Sequence, residues 1–517
     1  MESFGVTRCP SRYGQGAGMV KREAYNPSLM REKPSRVEMA APNRQLKIFH
    51  IVGLALLLRV LLPSAAYFYT RDSTIFYTAD SASYIAPAGE LVAHHRFFSD
   101  GSEAARVWNS PIRPAPEIVR TPGYPILLAA GLLSGHMTLV TIALQILFNC
   151  LTVYLVYRTT GLLFEGEKIA LIAATLYAFD PLAILFCSLL STETLFTALV
   201  MTGTYYLVRY LRRQSLTDLI ISATALAIAI YVRPAGYFLP VMIAAALAAW
   251  ALVMRKENKW QLLRHLSLYL LVWVAIIAPW RLRNQIATGY SGFTSVFSED
   301  LYCNLAASVM ASQQDLSYSD MQNRMGCFDL ALYLREHPEQ RAWTEQQVLS
   351  YKRVQAIHIL ISNPISFARI YFAGVIRGIF DPTSTELIRF FDFYPKDGGL
   401  LDKALDRGVI AAVEALLLDP LLAWSTFVLL ALHLAYLSSA GLGVIRASKR
   451  DPAVLMMLLI MTYYLVVPGG PAVWARFRHP AMPIICMFAA YALSNCSFLR
   501  TASERALFQA ERSSALA

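Results

Sequence analysis

Charge is scarce in this chain. Only 16% of its 517 residues are Asp, Glu, Lys or Arg, and 56% are apolar, whereas an ordinary soluble domain carries roughly 25% charged residues. That poverty excludes a disordered chain, which needs high charge and few apolar residues. Seven cysteines exclude a small disulfide scaffold, and 26 glycines exclude a collagen-like repeat. A cleaved signal peptide is missing too, because the first hydrophobic run begins nearly fifty residues in and reads as an uncleaved signal anchor. The formal charge of +11 does not make the chain a nucleic-acid binder, because the apolar excess falls in long uncharged blocks. Such blocks define a polytopic membrane protein.

A span needs about 20 apolar residues at 1.5 Å rise each. Spans are expected near residues 48–69, 137–158, 168–188, 191–211, 216–232, 236–254, 262–280, 421–445, 453–468 and 478–496, ten in all. The stretch 123–135 is apolar but too short to cross, and reads as a juxtamembrane helix. The fold class is therefore all-α and polytopic, with about ten spans and helices in the loops on one face.

The positive-inside rule orients the bundle. With a cytoplasmic N-terminus, the inner segments 1–47, 158–168, 209–218, 255–264, 446–451 and 497–517 hold 24 Lys and Arg against 11 Asp and Glu. The outer loop 70–121 holds 5 against 6, and the outer region 281–418 holds 13 against 15. Arg255, Lys256 and Lys259, like Arg446, Lys449 and Arg450, cluster between spans on the inner side. Ten spans return the C-terminus to the cytoplasm. The expected organisation is a cytoplasmic disordered tail at 1–47, with Met19 and Met39 as alternative starts. A transmembrane module follows at 48–280, then an outer-face subdomain at 281–418. Three C-terminal spans occupy 419–496, and a cytoplasmic tail 497–517. Within 281–418, residues 365–380 read as an amphipathic helix resting on the outer leaflet.

Cysteines sort by compartment. Cys150, Cys187 and Cys486 lie in spans, Cys9 and Cys496 at the cytoplasmic ends, and only Cys303 and Cys327 share the outer region. An oxidising compartment would permit a disulfide there, and the sequence leaves bridge and free thiols open.

The span interiors are nearly empty of charge. Arg59 is the clear exception, and reads as an inward-facing group satisfied by neighbouring carbonyls. The other charges gather at the expected outer ends: Asp80, Arg120, Asp180, Glu193, Arg233, Arg281, Arg283, Arg476 and Arg478. A secondary transporter would place its site near the midplane, on broken helices related by an internal repeat. No repeat is visible, and the polar residues sit at the rim, which favours chemistry at the outer face. Guanidinium groups pair bidentately with phosphate, so arginines beside a few carboxylates suit an anionic ligand. Arginines that merely anchor span ends to lipid headgroups are the plainer alternative. His94 and His95 are adjacent and do not share a face, so no metal site is read there.

These blocks together resemble the GT-C superfamily of membrane glycosyltransferases, in the branch of protein O-mannosyltransferases and the lipid A aminoarabinose transferase. Tyr77-Thr78-Ala79-Asp80-Ser81-Ala82-Ser83-Tyr84 resembles the first-loop acidic motif, and Arg120-Thr121-Pro122-Gly123-Tyr124-Pro125 the basic lead into the juxtamembrane helix. Asp180-Pro181 with Ser191-Thr192-Glu193-Thr194 is similar to the hairpin between the third and fourth spans. Val232-Arg233-Pro234, Pro279-Trp280-Arg281-Leu282-Arg283-Asn284 and Ala475-Arg476-Phe477-Arg478-His479-Pro480 follow in the family's order. One departure matters. Many members carry two adjacent first-loop carboxylates, whereas Ser81 follows Asp80 here.

The resemblance implies a GT-C-like helical bundle in the cell membrane, with its active site on the outer face. It implies transfer of a monosaccharide from a polyprenyl-phosphate donor to a hydroxyl of a glycan, lipid or protein acceptor. The leaving phosphate monoester has a second pKa of about 6 and departs without a general acid, so one base and positive charge suffice. Asp80 is the expected base of an inverting displacement, with Glu193 as second acid. Arg120, Arg233, Arg283, Arg476 and Arg478 are the expected ligands of the donor phosphate. No cofactor or metal is expected, although a divalent ion stays open, and the partners are donor, acceptor and membrane lipid rather than nucleic acid. Two alternatives remain: a polysaccharide polymerase or ligase using diphosphate-linked donors, and a lipid or sugar transporter.

Overall fold

The computed structural model describes residues 42–99, 114–253, 259–328, 333–335, 337–394 and 399–494. The expected tails before residue 42 and after 496, with Cys9, Met19, Met39 and Cys496, lie outside the described residues, as do Arg255 and Lys256. Of two compact units, Met1–Leu46 contributes only the opening of the first helix, and Lys47–Ala517 holds the rest.

Helices stand at all ten expected span positions: α1 (Pro42–Thr70), α4 (Met137–Leu163), the pair α5 (Glu167–Ala178) and α6 (Pro181–Phe186), α7 (Glu193–Arg213), α8 (Leu216–Val232), α9 (Leu239–Val253), α10 (Lys259–Thr288), α13 (Pro420–Arg446), α14 (Pro452–Val466) and α15 (Met482–Ser494). The first loop adds α2 (Ser81–His94), and α3 (Gly123–Leu133) is the short apolar helix. Among the described residues, five helices are long and apolar enough to cross a membrane by themselves: Leu46–Thr70, Met137–Leu163, Pro234–Val253, Trp260–Thr288 and Pro420–Arg446. The remaining positions fall short for local reasons. Pro181 breaks the third, Arg233-Pro234 ends α8, and the last turn of α7 carries Arg212 and Arg213. Residues 365–380 do form a helix, α12 (Pro364–Phe380), bent by 102° from α11 (Gln346–Ser362 in the bent pair), and the two count as a sixth crossing only if taken together. Among the described residues the sheet content is one antiparallel pair, Phe98–Ser99 with Ala115–Pro116.

The break at Pro181 organises the bundle. Proline cannot donate an intrahelical bond, and Asp180 caps the new helix by accepting from Ala183 N at 3.2 Å. The carbonyls released around the break need other donors, since buried unpaired backbone groups are costly. A polar stripe supplies them. Gln145 of α4 donates to Cys187 O at 3.0 Å and to Leu189 O at 2.8 Å, and Asn149, one turn on, donates to Ala183 O at 3.0 Å. Arg59, wholly buried on α1, donates to Ala178 O at 2.9 Å and to Asn149 Oδ1 at 2.8 Å. Arg59 is therefore a structural bolt for the broken hairpin.

Two glycines permit close approach. A Cβ on Gly443 of α13 would lie 1.9 Å from Phe488 O of α15, and one on Gly123 of α3 would lie 2.7 Å from Tyr231 O of α8. The second contact seats α3 against the end of α8, which sets Arg120 and Arg233 at one end of the bundle.

Candidate functional site

The first loop and the broken hairpin are joined by backbone. Leu190 N donates to Phe76 O at 2.7 Å, and Ser81 Oγ donates to Leu190 O at 2.8 Å. Asp80 and Glu193 are thereby held near each other from opposite sides of one seam. Asp80 occupies the cap position of α2, yet its side chain makes no capping bond. It turns instead to two arginines.

Arg120 Nη2 donates to Asp80 Oδ1 at 2.9 Å, and Arg476 Nη1 donates to Asp80 Oδ2 at 2.7 Å. Each carboxylate oxygen thus holds one guanidinium. Arg476 Nε also stands 4.0 Å from Glu193 Oε1, and Arg233 Nη1 donates to that same oxygen. Five of the expected site residues, from five separate segments, therefore form one chain of charge: Arg120, Asp80, Arg476, Glu193 and Arg233. It has depth. Asp80, Arg120 and Arg476 are 29%, 21% and 25% exposed at the side chain, while Glu193 is 2% exposed and sits behind them with Arg233.

The guanidinium groups are aimed by packing. Arg120 Nε donates to Ser83 Oγ at 2.9 Å, and its guanidinium carbon lies 4.6 Å from the Tyr84 ring centroid. The Glu117 carboxylate accepts from Val119 N at 2.6 Å and from Arg120 N at 2.7 Å, which fixes the backbone carrying Arg120. Arg233 and Arg476 both lie over Phe477, at 4.9 and 5.2 Å.

Electrostatics follow from this geometry. Burial pushes the Asp80 carboxyl up, but the guanidinium groups of Arg476 and Arg120 outweigh it and hold the carboxyl well below the usual carboxylate range. Burial works against the Arg476 charge, and Asp80 and Glu193 more than offset it, so the guanidinium is held above its ordinary value.

The other two expected phosphate ligands lie elsewhere. Arg283 donates to Glu117 O and to Phe97 O, both at 2.5 Å, and so pins the loop that carries Arg120. Arg478, 3% exposed, donates to Gly378 O at 3.0 Å. Both are committed to backbone carbonyls, which spacing along the chain did not reveal. Cys303 and Cys327 are joined by a disulfide. Among the described residues no group of three or more His, Cys, Asp or Glu side chains is arranged to hold a metal ion.

Sequence reading gave no role to three supporting residues. Ser83 and Tyr84 close the acidic motif, and Glu117 precedes Arg120 by three residues, so their proximity in sequence was the available signal. Asp300 is a fourth. Arg120, Arg476 and Asp80 all act on its carboxyl, although it comes from the least readable part of the chain.

This chain is similar to several known proteins. The family described as dolichyl-phosphate-mannose-protein mannosyltransferase matches residues 120–282, a stretch that includes Arg120, Glu193 and Arg233. No curated protein sequence matches. The oligosaccharyltransferase AglB of Archaeoglobus fulgidus, solved with an inhibitory peptide and a dolichol-phosphate, superposes with a TM-score of 0.51 at 14% identity, over 91% of this chain and 52% of that one. The apo form of the Archaeoglobus fulgidus oligosaccharyltransferase gives 0.53 at 14% identity, over 90% and 52%. ArnT of Cupriavidus metallidurans, bound to undecaprenyl phosphate, gives 0.45 at 13% identity, over 88% and 61%. The chain spans about half the length of the archaeal enzyme.

Proposed function

This chain has the fold of the GT-C membrane glycosyltransferases, and we propose that it moves a monosaccharide from a polyprenyl-phosphate donor to an acceptor hydroxyl at the outer membrane surface, with both termini in the cytoplasm. One observation carries the reading: a partly exposed carboxylate, Asp80, holds two partly exposed guanidinium groups, one on each oxygen. The family match over residues 120–282 supports the class of reaction, and the polyprenyl phosphates in the AglB and ArnT structures suggest the class of carrier.

In this mechanism the donor phosphate enters between Arg120 and Arg476 and takes over hydrogen bonds that Asp80 now receives. The freed carboxylate regains proton affinity next to the acceptor. The acceptor oxygen attacks the anomeric carbon while the bond from that carbon to the phosphate oxygen breaks. Its electron pair leaves with polyprenyl phosphate, and the acceptor proton passes to Asp80. The two guanidinium groups stabilise the charge that grows on the departing phosphate, and attack opposite the leaving group inverts the anomeric configuration. Arg233 and Glu193 form the rear wall, keeping Arg476 aimed forward. Arg283 and Arg478 act through the scaffold rather than on the phosphate.

The test is an acceptor and donor panel with purified protein in lipid. Undecaprenyl-phosphate mannose, glucose and aminoarabinose are offered with a threonine peptide, a short glycan and lipid A. The expected result is consumption of one donor, release of undecaprenyl phosphate and an inverted linkage by NMR. Retention of configuration contradicts the mechanism, and transport without covalent product contradicts the function.

A further inference from the structure

Asp300 has no part in the mechanism above, yet it lies within electrostatic reach of Arg120, Arg476 and Asp80. It opens a π-helical turn, Asp300–Ala306, in the segment after α10, and its side chain is exposed. The segment is tied to the strand of chain that carries Arg120: Thr294 Oγ1 donates to Val119 O at 2.6 Å, and Ser295 N donates to Ile118 O at 2.9 Å. On the other side it is tied into its own subdomain. Lys352 of α11 (Glu345–Ser362) donates to the Glu299 carboxylate at 2.9 and 3.0 Å, and Cys303, one turn beyond Asp300, is bridged to Cys327. Gln322 donates to Cys303 O at 2.8 Å, and Tyr318 donates to Asn304 Oδ1 at 2.7 Å.

So many constraints leave Asp300 little freedom to move. Asn304 donates to its Oδ1 at 2.9 Å, while Oδ2 has no hydrogen-bond partner among the described residues. The charged groups that act on it are Arg120, Arg476, Asp80 and Glu299. Neither arginine pairs with it directly, because both are turned onto Asp80. The result is a firmly mounted carboxylate with one open oxygen, within electrostatic reach of a site whose arginines are already engaged.

We propose that Asp300 is the acceptor-binding carboxylate of this site, its open oxygen accepting a hydrogen bond from the acceptor beside the hydroxyl that attacks. The proposal rests on the glycosyltransferase reading, in which the donor phosphate lies between Arg120 and Arg476 and the acceptor must approach Asp80 from the exposed side. Asp300 belongs to the segment 281–418, whereas Arg120 and Arg476 come from the segments before and after it, so acceptor and donor recognition fall on different parts of the chain.

A titration follows. The residue is exposed, yet the protein packed about its carboxyl pushes it up. Arg120 and Arg476 pull it down, Asp80 and Glu299 push it up again, and it settles at about 6. Only the ionised form accepts at both oxygens, so acceptor affinity should weaken as pH falls through about 6. The donor is a phosphodiester and does not titrate in that range.

The test takes the productive pair from the panel above and measures donor KM, acceptor KM and kcat between pH 5 and 8 for wild type, Asp300→Ala and Asp300→Asn. Loss of one charge-assisted hydrogen bond predicts a rise of about tenfold or more in acceptor KM for Asp300→Ala, with donor KM unchanged. Asp300→Asn keeps an acceptor oxygen but cannot ionise, so its acceptor KM should lose the acid limb that wild type shows. Equal changes in both KM values, an unchanged acceptor KM, or an acid limb that persists in Asp300→Asn overturns the proposal. A wild-type protein that turns over no pair overturns the underlying reading instead.

Discussion

Asp80 can act as a base only if something removes its arginines. As the structure stands, two guanidinium groups share its oxygens at 2.9 and 2.7 Å and hold its proton affinity down. A depressed carboxyl contributes stability that is full above its unfolded pKa and lost only as pH falls through the folded one. The thermal stability difference between wild type and Asp80→Asn should therefore be the same at pH 8 and pH 5, and a difference that vanishes at pH 5 would contradict the pairing. Activity should fall further than stability. Loss of a positioned base costs about 10²–10⁴-fold in rate, measurable in single turnover with donor saturating. For Arg233→Ala the larger effect should be on folding, because Glu193 would be left buried without its partner, a situation worth about 3–5 kcal/mol. A Tm unchanged by that substitution would remove Arg233 from the rear wall. At this scale the sequence marked the right charges but not their division of labour. Arg476 and Arg478 are two residues apart in one motif, yet one faces Asp80 and the other faces Gly378 O. Nothing in a string of letters separates them, since the difference comes from the 3-10 turn Ala475–Ala481 that carries both.

At the scale of elements, the broken hairpin between α5 and α7 deserves the emphasis usually given to catalytic groups, because it sets where Glu193 begins its helix. Gln145, Asn149 and Arg59 hold its released carbonyls. Replacing Gln145 by Leu should cost about 1–3 kcal/mol through unsatisfied buried carbonyls, seen as a lower Tm. It should also lower activity by shifting Glu193, although it touches no proposed ligand. A variant with full stability and full activity would show that the stripe is dispensable. Spans were legible because apolar length is a strong one-dimensional signal. Asp180-Pro181 was legible as part of the hairpin motif, while the break it makes inside the expected span 168–188 emerged from the structure. The polar stripe on α4 was not legible, because its partners lie more than thirty residues away in sequence. Residues 365–380 were read as a helix, and Pro364 opens it after a 102° bend at Asn363 that the sequence reading did not include.

Across the whole molecule, the charge asymmetry and the site make one joint statement. On the proposed topology, scarce charge is divided so that the basic loops lie at one end of the spans and the Asp80 cluster at the other. Single cysteines placed at Lys449 and at Asp320, in a background where Cys303 and Cys327 stay paired, should react with an impermeant maleimide from opposite sides of a sealed vesicle. Labelling of both from one side would refute the orientation. The segment 281–418 was the least legible region, since most of its helices are short and its stabilising contacts, the Lys352–Glu299 pair among them, join parts distant in sequence. The claim that Asp80, Arg120 and Arg476 form a catalytic cradle is tested most directly by undecaprenyl-phosphate release from the productive donor, compared between wild type and Asp80→Asn inserted in membranes at equal level. The account predicts steady release by wild type and a loss of at least about a hundredfold in the variant. Full transfer by Asp80→Asn would contradict it.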